Sequence, residues 1–377
     1  MTYDKFFDTI TLPNGVKLSN RLMMAPMCDD SAEQGKVTEQ QLSYMNSRAA
    51  NVGIAVTGYA YVNDQGIQVE GQLSVSRDDD IEGLGKLAKA IKDAGAKAIL
   101  QLSHAGRESG ISAKYGKGVY APTKMAFPWV DYEIKEMTEQ DIHDLINDFK
   151  EATRRAILAG YDGIEIHNCN HDILQQFFSS YSNLRDDEWG GNHSNRMKLP
   201  LAVLKGVKEV IEEFGNKNFI LGWRVSPEEI HGENVGYLVE DMLDQTKHAL
   251  TIGIDYLNVS LSGGLNYDLD AKPRDHDETF AELFKKLTQD KCLLFIGAHV
   301  HHPEDIMKVI DQTDGVYIGR ALLLDPEFTR KIRENRAGEI VAAISHKQLA
   351  QIGLPDRLVK NYSSPDNYQK GIPLPGL

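Results

Sequence analysis

The chain has 377 residues, 41% of them apolar, enough for one large domain or two ordinary ones with a full core. Acidic residues outnumber basic ones 55 to 41, and the net charge of −14 argues against nonspecific binding to nucleic acid or an anionic membrane, while leaving room for a local anion site. Three cysteines, Cys28, Cys169 and Cys292, are too few for a disulfide framework and one short of the four thiolates of an all-cysteine cluster, which points to a reducing compartment.

The opening Met-Thr-Tyr-Asp-Lys-Phe-Phe-Asp is too acidic for a signal peptide, and no apolar stretch reaches membrane-spanning length. A soluble cytoplasmic protein is expected. Residues 8–18 read as a hairpin, because Asn14-Gly15 sits between alternating apolar residues. An apolar strand from Asn20 to Met27 follows, halted by Pro26, and then a helix over 39–51. Strand 54–57 leads to helix 81–94, strand 96–101 to helix 139–159, and strand 163–167 to helix 194–214. The same alternation continues with strand 219–225 and helix 237–252, then strand 256–260 and helix 278–288. It ends with strand 292–296 and helix 303–312, then strand 315–318 and helix 326–336. Such alternation implies a parallel sheet, and eight units match a closed (β/α)8 TIM barrel, although an open doubly wound sheet alternates in the same way. No shift in composition marks a second domain, so residues 1–377 are expected to form one barrel domain. Residues 104–137, rich in Gly and Pro, are long for a connection and suggest a lid after strand three. From about 340 an extension is expected to pack on the barrel, helical to about Gln351 and irregular beyond.

The distinctive polar residues fall at strand ends, where a parallel barrel keeps its active site. The fourth strand ends in His167, with Cys169, Asn170, His171 and Asp172 close behind. His167 and Asn170, three residues apart, can aim two hydrogen-bond donors at one oxygen and stabilise an anion there. The plain alternative is a strand-end histidine satisfied by backbone. His167 and His171 also have the H-x-x-x-H spacing of a metal pair, but the usual Glu is absent and the register follows a strand, so no metal is expected. Gly297-Ala298 after strand seven and Gly319-Arg320 after strand eight lie where many barrels bind phosphate; each glycine alone reads equally as a turn residue. Arg224, in strand five, faces the barrel mouth if alternation holds. A buried Arg needs an electron-rich ligand or an acidic partner such as Glu165.

Four stretches carry a resemblance that spans about Phe6 to Phe328. They are Leu18-Ser-Asn-Arg-Leu-Met-Met-Ala-Pro-Met27, Gln101-Leu-Ser-His-Ala-Gly-Arg107, Ala159 to His167 with Ser182-Asn-Leu-Arg-Asp-Asp-Glu-Trp-Gly-Gly191 and Asn195-Arg196, and Val316 to Pro326. In these the chain resembles the old yellow enzyme family, of the short kind that carries FMN alone. The resemblance implies FMN lying across the carboxyl face of the barrel. Ala25, Pro26, Met27, Cys28 and Tyr59 would line one flavin edge, and Gln101 would bond its pyrimidine part. Arg224 would sit near N1 and O2, and Gly264, Gly297, Ala298, Gly319 and Arg320 would hold the phosphate. His167 and Asn170 match the family's substrate anchors. NADH or NADPH would reduce the flavin, which would pass hydride to the activated C=C of an α,β-unsaturated carbonyl compound.

Two positions depart from the family. Asp172 stands where a tyrosine usually donates the final proton, preceded by His171 where glycine is usual. Asp30 stands where some relatives carry an active-site tyrosine, and reads equally as a carboxylate near the flavin or as solvated surface. An ionised carboxyl is a poor acid. Enzymes acting on quinone, nitro or amine substrates therefore stay open, as does a flavin-binding protein with poor turnover. The physiological substrate, the choice between NADH and NADPH, the proton donor and any self-association into a homo-oligomer are not legible.

Overall fold

A computed structural model describes residues 3–261 and 267–363. Eight parallel strands form the barrel: β1 (Leu22–Met24), β2 (Ile54–Val56), β3 (Lys97–Ser103), β4 (Gly163–Asn168), β5 (Ile220–Val225), β6 (Tyr256–Ser260), β7 (Leu293–Gly297) and β8 (Gly315–Ile318). Each pairs with its successor, and β8 pairs with β1 (Ile318 opposite Met24), so the sheet closes on itself. Eight helices wrap it: α1 (Glu39–Ala49), α2 (Ile81–Asp93), α3 (Glu139–Leu158), α4 (Lys198–Phe214), α5 (Val239–Ile252), α6 (Phe280–Thr288), α7 (Pro303–Ile310) and α8 (Phe328–Arg333). The starts of α1, α3 and α6 are set by Thr38, Thr138 and Thr279, whose hydroxyls accept the otherwise orphaned N–H groups of Gln41, Asp141 and Glu282.

Strand alternation divides the barrel by height. Its lower interior is apolar: Met23, Ile54, Val56, Ile99, Ile220, Tyr256 and Phe295 form one buried cluster. The N-terminal hairpin (Ile10–Thr11 with Lys17–Leu18) adds Leu12 and Leu18 to that cluster and closes the amino end. Higher up the inward positions turn polar. Gln101 pairs in register with Glu165, and His167 with Arg224 and then Asn258. Glu165 is fully buried and accepts from Gln101 Nε2 at 2.6 Å and from Asn258 Nδ2 at 3.0 Å. Both of its oxygens are therefore taken below the mouth.

Three segments differ from the sequence expectation. The long loop after β3 is folded, with a short helix (Gly110–Lys114), a paired segment (Tyr120–Ala121 with Lys135–Glu136) and its own apolar cluster of Val119, Ala121, Phe127 and Ile134. Residues 326–336 hold only α8, and a separate turn of helix, Arg320–Leu324, precedes it. In the extension only His346–Leu349 is helical before Gln351, and a further helix, Asp356–Tyr362, stands where irregular chain was expected. Leu358 and Tyr362 supply the burial that local composition did not advertise. The extension is tied down by Arg48, whose Nη2 donates to the carbonyls of Leu323 (3.1 Å) and Ile352 (2.8 Å).

Gly222 lies where the barrel interior is tightest, since a Cβ there would lie 2.2 Å from Cζ of Tyr256. Gly222→Ala should therefore lower stability by about 1–3 kcal/mol, the usual cost of overpacking a core. Urea denaturation measures it, and an unchanged midpoint would mean that the ring moves aside freely.

Candidate active site

After His167 the chain turns tightly through Asn170 and His171, which both take left-handed backbone, with φ of 55° and 65°. The turn is closed by Asp172 N–H donating to the carbonyl of Cys169 at 3.1 Å. It returns Asp172 beneath His167, so that Oδ2 lies 2.8 Å from His167 Nδ1. This is an ion-pair contact off the N–H axis, for no acceptor lies in line with Nδ1. Ser103, at the end of β3, donates its hydroxyl to the same Oδ2 at 2.6 Å. Both His167 and Asp172 are buried. Burial works against a charged imidazole, but the Cys169 sulfur and the Asp172 carboxylate outweigh it and push His167 up to about 10. The direction favours the imidazolium form of His167, which carries N–H on both ring nitrogens.

That charge decides what the neighbouring amide does. Asn170 Nδ2 lies 3.3 Å from His167 Nε2. The amide orientation follows from its other end, where Oδ1 accepts from Ser260 Oγ at 3.5 Å. With His167 in the imidazolium form, both side chains carry N–H where they meet and can donate together to a third atom. Ser260 Oγ in turn accepts from Arg224 Nη2 at 3.2 Å. Amide, hydroxyl and guanidinium are thus hydrogen-bonded in series. Tyr59 lies nearby, its ring centroid 6.0 Å from that of His167.

Arg224 is buried without a salt bridge to any carboxylate among the described residues, and its Nε has no hydrogen-bond partner. Glu165, the acidic partner the sequence offered, is committed to Gln101 and Asn258. Gln101 Oε1 is a second buried polar atom without a partner. An unmatched cation and an unmatched acceptor at one barrel end fit the pyrimidine end of a flavin, which offers carbonyl oxygens and an N–H. Cys28 and Tyr59 lie on touching loops, for a Cβ on Gly58 would come within 2.9 Å of Cys28 Cα. Burial raises the Cys28 thiol well above its ordinary range. Ala25 and Met27 are neighbours of Gly319, while Arg320 Nη2 lies 3.3 Å from His299 Nδ1. Pro26 lies between them, and Gly297-Ala298 ends the adjoining β7. Gly297 has a plain structural reason to be small, because a Cβ would lie 2.3 Å from the Tyr317 ring. Gly264 lies outside the described residues.

The structure does not bring His167 and His171 together as a metal pair. The His171 ring turns instead to Glu229 and His231. Those two stand on a hairpin (Glu229–His231 with Asn234–Tyr237) that the sequence reading passed over. Its signal was His231-Gly232-Glu233-Asn234, a turn sequence with Gly232 at φ 65°. Asp30 is not solvated surface: it is buried, accepts from Asn361 Nδ2 at 2.8 Å, and burial pushes its carboxyl up to about 6.

A closed parallel barrel with hydrogen-bonding side chains and a buried guanidinium at its carboxyl mouth is a fold and site that suit a barrel oxidoreductase with a flavin. Known proteins agree. The sequence profile of the NADH:flavin oxidoreductase / NADH oxidase family matches residues 5–339. An uncharacterized oxidoreductase of Streptococcus pyogenes is 34% identical over 98% of this chain and 94% of its own length. The NADH:acrylate oxidoreductase of Vibrio harveyi is 35% identical over 97% of this chain but only 37% of its own length. In fold, the structure of an old yellow enzyme homologue from Zymomonas mobilis superposes with a TM-score of 0.75 at 23% identity, covering 88% of this chain and 93% of that one. The chain belongs to the NADH:flavin oxidoreductase / NADH oxidase family, the old yellow enzymes, and is an NAD(P)H-dependent oxidoreductase.

The ion pair has a pH signature. His167 is raised from 6.5 to about 10, so its charge stabilises the fold fully below pH 6.5, progressively less above it, and not at all beyond about pH 10. Asp172→Asn should therefore cost stability near pH 6, with the gap to the parent closing as pH rises through about 10. Urea titrations of both proteins across pH 6–11 measure this. A gap independent of pH would mean that His167 is not charged by Asp172.

Proposed function

We propose that this chain binds FMN across the carboxyl mouth of the barrel and, with NADH or NADPH as reductant, reduces the activated C=C of a small α,β-unsaturated carbonyl compound. The observation that carries the reading is the placement of His167 Nε2 and Asn170 Nδ2 side by side, 3.3 Å apart, close enough to donate to one substrate oxygen. FMN, when bound, supplies the two-electron carrier between nicotinamide and substrate. The chain's own residues do the rest. Gln101 and Arg224 hold the pyrimidine end, with Arg224 matching negative charge there. Ala25, Pro26, Met27, Cys28 and Tyr59 flank the ring system. Gly297, Ala298, Gly319 and Arg320 hold the phosphate, together with Gly264. His167 and Asn170 grip the substrate oxygen and stabilise charge growing on it as the β carbon is reduced. A cationic donor does this better than a neutral one, because charge-assisted hydrogen bonds are about twice as strong. The name of the Vibrio harveyi relative, an acrylate oxidoreductase, supports a carboxylate or carbonyl conjugated to the alkene. The whole barrel, with the extension from about 340 packed on it, acts as one FMN-binding unit.

Asp172 does not take over from the missing tyrosine as acid in this reading. Its Oδ2 accepts from Ser103 and faces an imidazolium, so it is a positioning residue that keeps His167 charged. The same observation favours a second reading, in which quinone or nitro acceptors are the better substrates because they need no proton delivered to carbon. His171 sits beside the anchor without an aligned role in either.

The test is ligand binding and turnover in variants. Phenolic ligands, which mimic an anion over the flavin, should give charge-transfer absorbance with the parent protein and none with His167→Ala or the double variant His167→Ala/Asn170→Ala. Enone reduction should fall about 100-fold or more, the usual loss for an oxyanion donor. Undiminished phenol binding in the double variant would remove the pair from the site. Separately, Arg224→Met should purify with less FMN per chain than the parent, read from flavin absorbance after gel filtration. Full retention would place the flavin elsewhere.

A further inference from the structure

At the rim of the same mouth, His171, Glu229 and His231 form a cluster that the reaction above does not use. Their ligand atoms all lie within 4.8 Å of one another. Glu229 Oε1 is 3.2 Å from His231 Nε2, and Oε2 is 3.9 Å from His171 Nδ1. The two imidazole centroids are 5.1 Å apart. We propose that these three side chains bind a divalent transition ion of the Zn2+ class.

Each part of the cluster is built for a purpose that packing does not explain. Glu229 is buried, yet among the described residues it faces no Lys or Arg. Gln175 Nε2 donates to Oε2 at 2.8 Å and Ser179 Oγ to Oε1 at 2.9 Å, which fixes the carboxylate plane as outer hydrogen bonds fix a metal ligand. The strand's register shifts between Glu229 and Ile230, and the side chains of Glu229 and His231 still meet. His171 is held at φ 65°, a left-handed conformation that costs a branched-free but bulky residue of order 1 kcal/mol and that glycine would adopt without strain. A side chain kept at such a position is kept for what it reaches, and it reaches Glu229.

The distances suit an ion. Zn–N and Zn–O bonds of about 2.0–2.1 Å at a tetrahedral angle put neighbouring ligand atoms about 3.3–3.4 Å apart, so atoms now within 4.8 Å of one another close by at most about 1.5 Å through side-chain rotation. Both imidazoles are partly exposed, at 24% and 29% of their side chains, which leaves a path for the ion and positions for water or an anionic ligand. Two imidazoles and one carboxylate are a borderline donor set, suited to Zn2+ and to Co2+ in its place, and ill suited to Ca2+ or Mg2+.

The experiment uses the full chain with its flavin, stripped of metals by chelator and dialysed. Isothermal titration with Zn2+ should show one saturable equivalent, and Co2+ should develop visible absorption bands at the same stoichiometry. His231→Ala and His171→Ala should each weaken that equivalent at least ~100-fold, and Gln175→Ala by ~10–100-fold, the usual range for an outer partner. His276→Ala, at a histidine elsewhere on the surface, should leave it unchanged. Because Glu229→Gln removes a buried charge, its thermal melt is recorded beside the titration, and the two histidine variants carry the test if it does not fold. No saturable Zn2+ binding by the parent, or binding that survives both histidine variants unchanged, overturns the proposal.

Discussion

Closure of the barrel governs everything above it. Once β8 pairs with β1, the eight strands have no free edge, and each must bury one row of side chains in a cylinder of fixed width. The lower rows meet that demand with Ile, Met, Phe and Tyr, and Gly222 yields its side-chain volume to Tyr256. Parallel register then carries the same alternation upward, so that whatever follows in each inward row must face its neighbours across the mouth. His167, Arg224 and Asn258 are at one height for that reason alone. The site is the continuation of the core pattern by polar residues, beginning with Glu165 where the apolar rows stop.

A carboxylate in this position changes what the anchor is. Where a tyrosine would stand free to act as acid, Asp172 is pulled down by the Asn170-His171 turn and held by Ser103. The carboxylate, with the Cys169 sulfur, then raises the imidazole's affinity for a proton against the cost of burial. Buried ion pairs of this kind contribute little net stability, since desolvation offsets most of the attraction. What the contact does fix is geometry: the carboxylate sits against one ring nitrogen and leaves the other facing Asn170.

The strands and the helices were legible because period and punctuation repeat along the chain, while closure of the sheet was implied only by the family resemblance. Every barrel strand is a short apolar run, and three helices begin at a threonine that caps them. What escaped was whatever depended on contacts between distant segments. The hairpin over 229–237 has too few alternating apolar residues to announce a strand pair; it forms because Tyr237 and Glu229 bury against the barrel top. The helix Asp356–Tyr362 depends on the surface it covers. The family resemblance places Asp172 where a tyrosine usually acts as acid, but only the folded turn shows that it faces His167. Gly297 read as a phosphate-loop glycine, and its tightest neighbour is the Tyr317 ring. In each case the residue type was noticed and its partner was not.

The sign of the chain's charge and the sign of its mouth are opposed, and the length scale of screening reconciles them. A chain of net charge −14 should repel a nicotinamide nucleotide at long range. At physiological salt, though, exposed charges farther than about 8 Å are largely screened. Inside the mouth the field comes from His167 and Arg224, which are buried and screened far less. Asp172 and Glu165 do not cancel them evenly. Glu165 is capped by two amides, and Asp172 is spent on His167 Nδ1, leaving Nε2 and the Arg224 guanidinium as the charges presented outward. A net negative chain and a locally cationic barrel end are therefore compatible, because the two fields act over different distances.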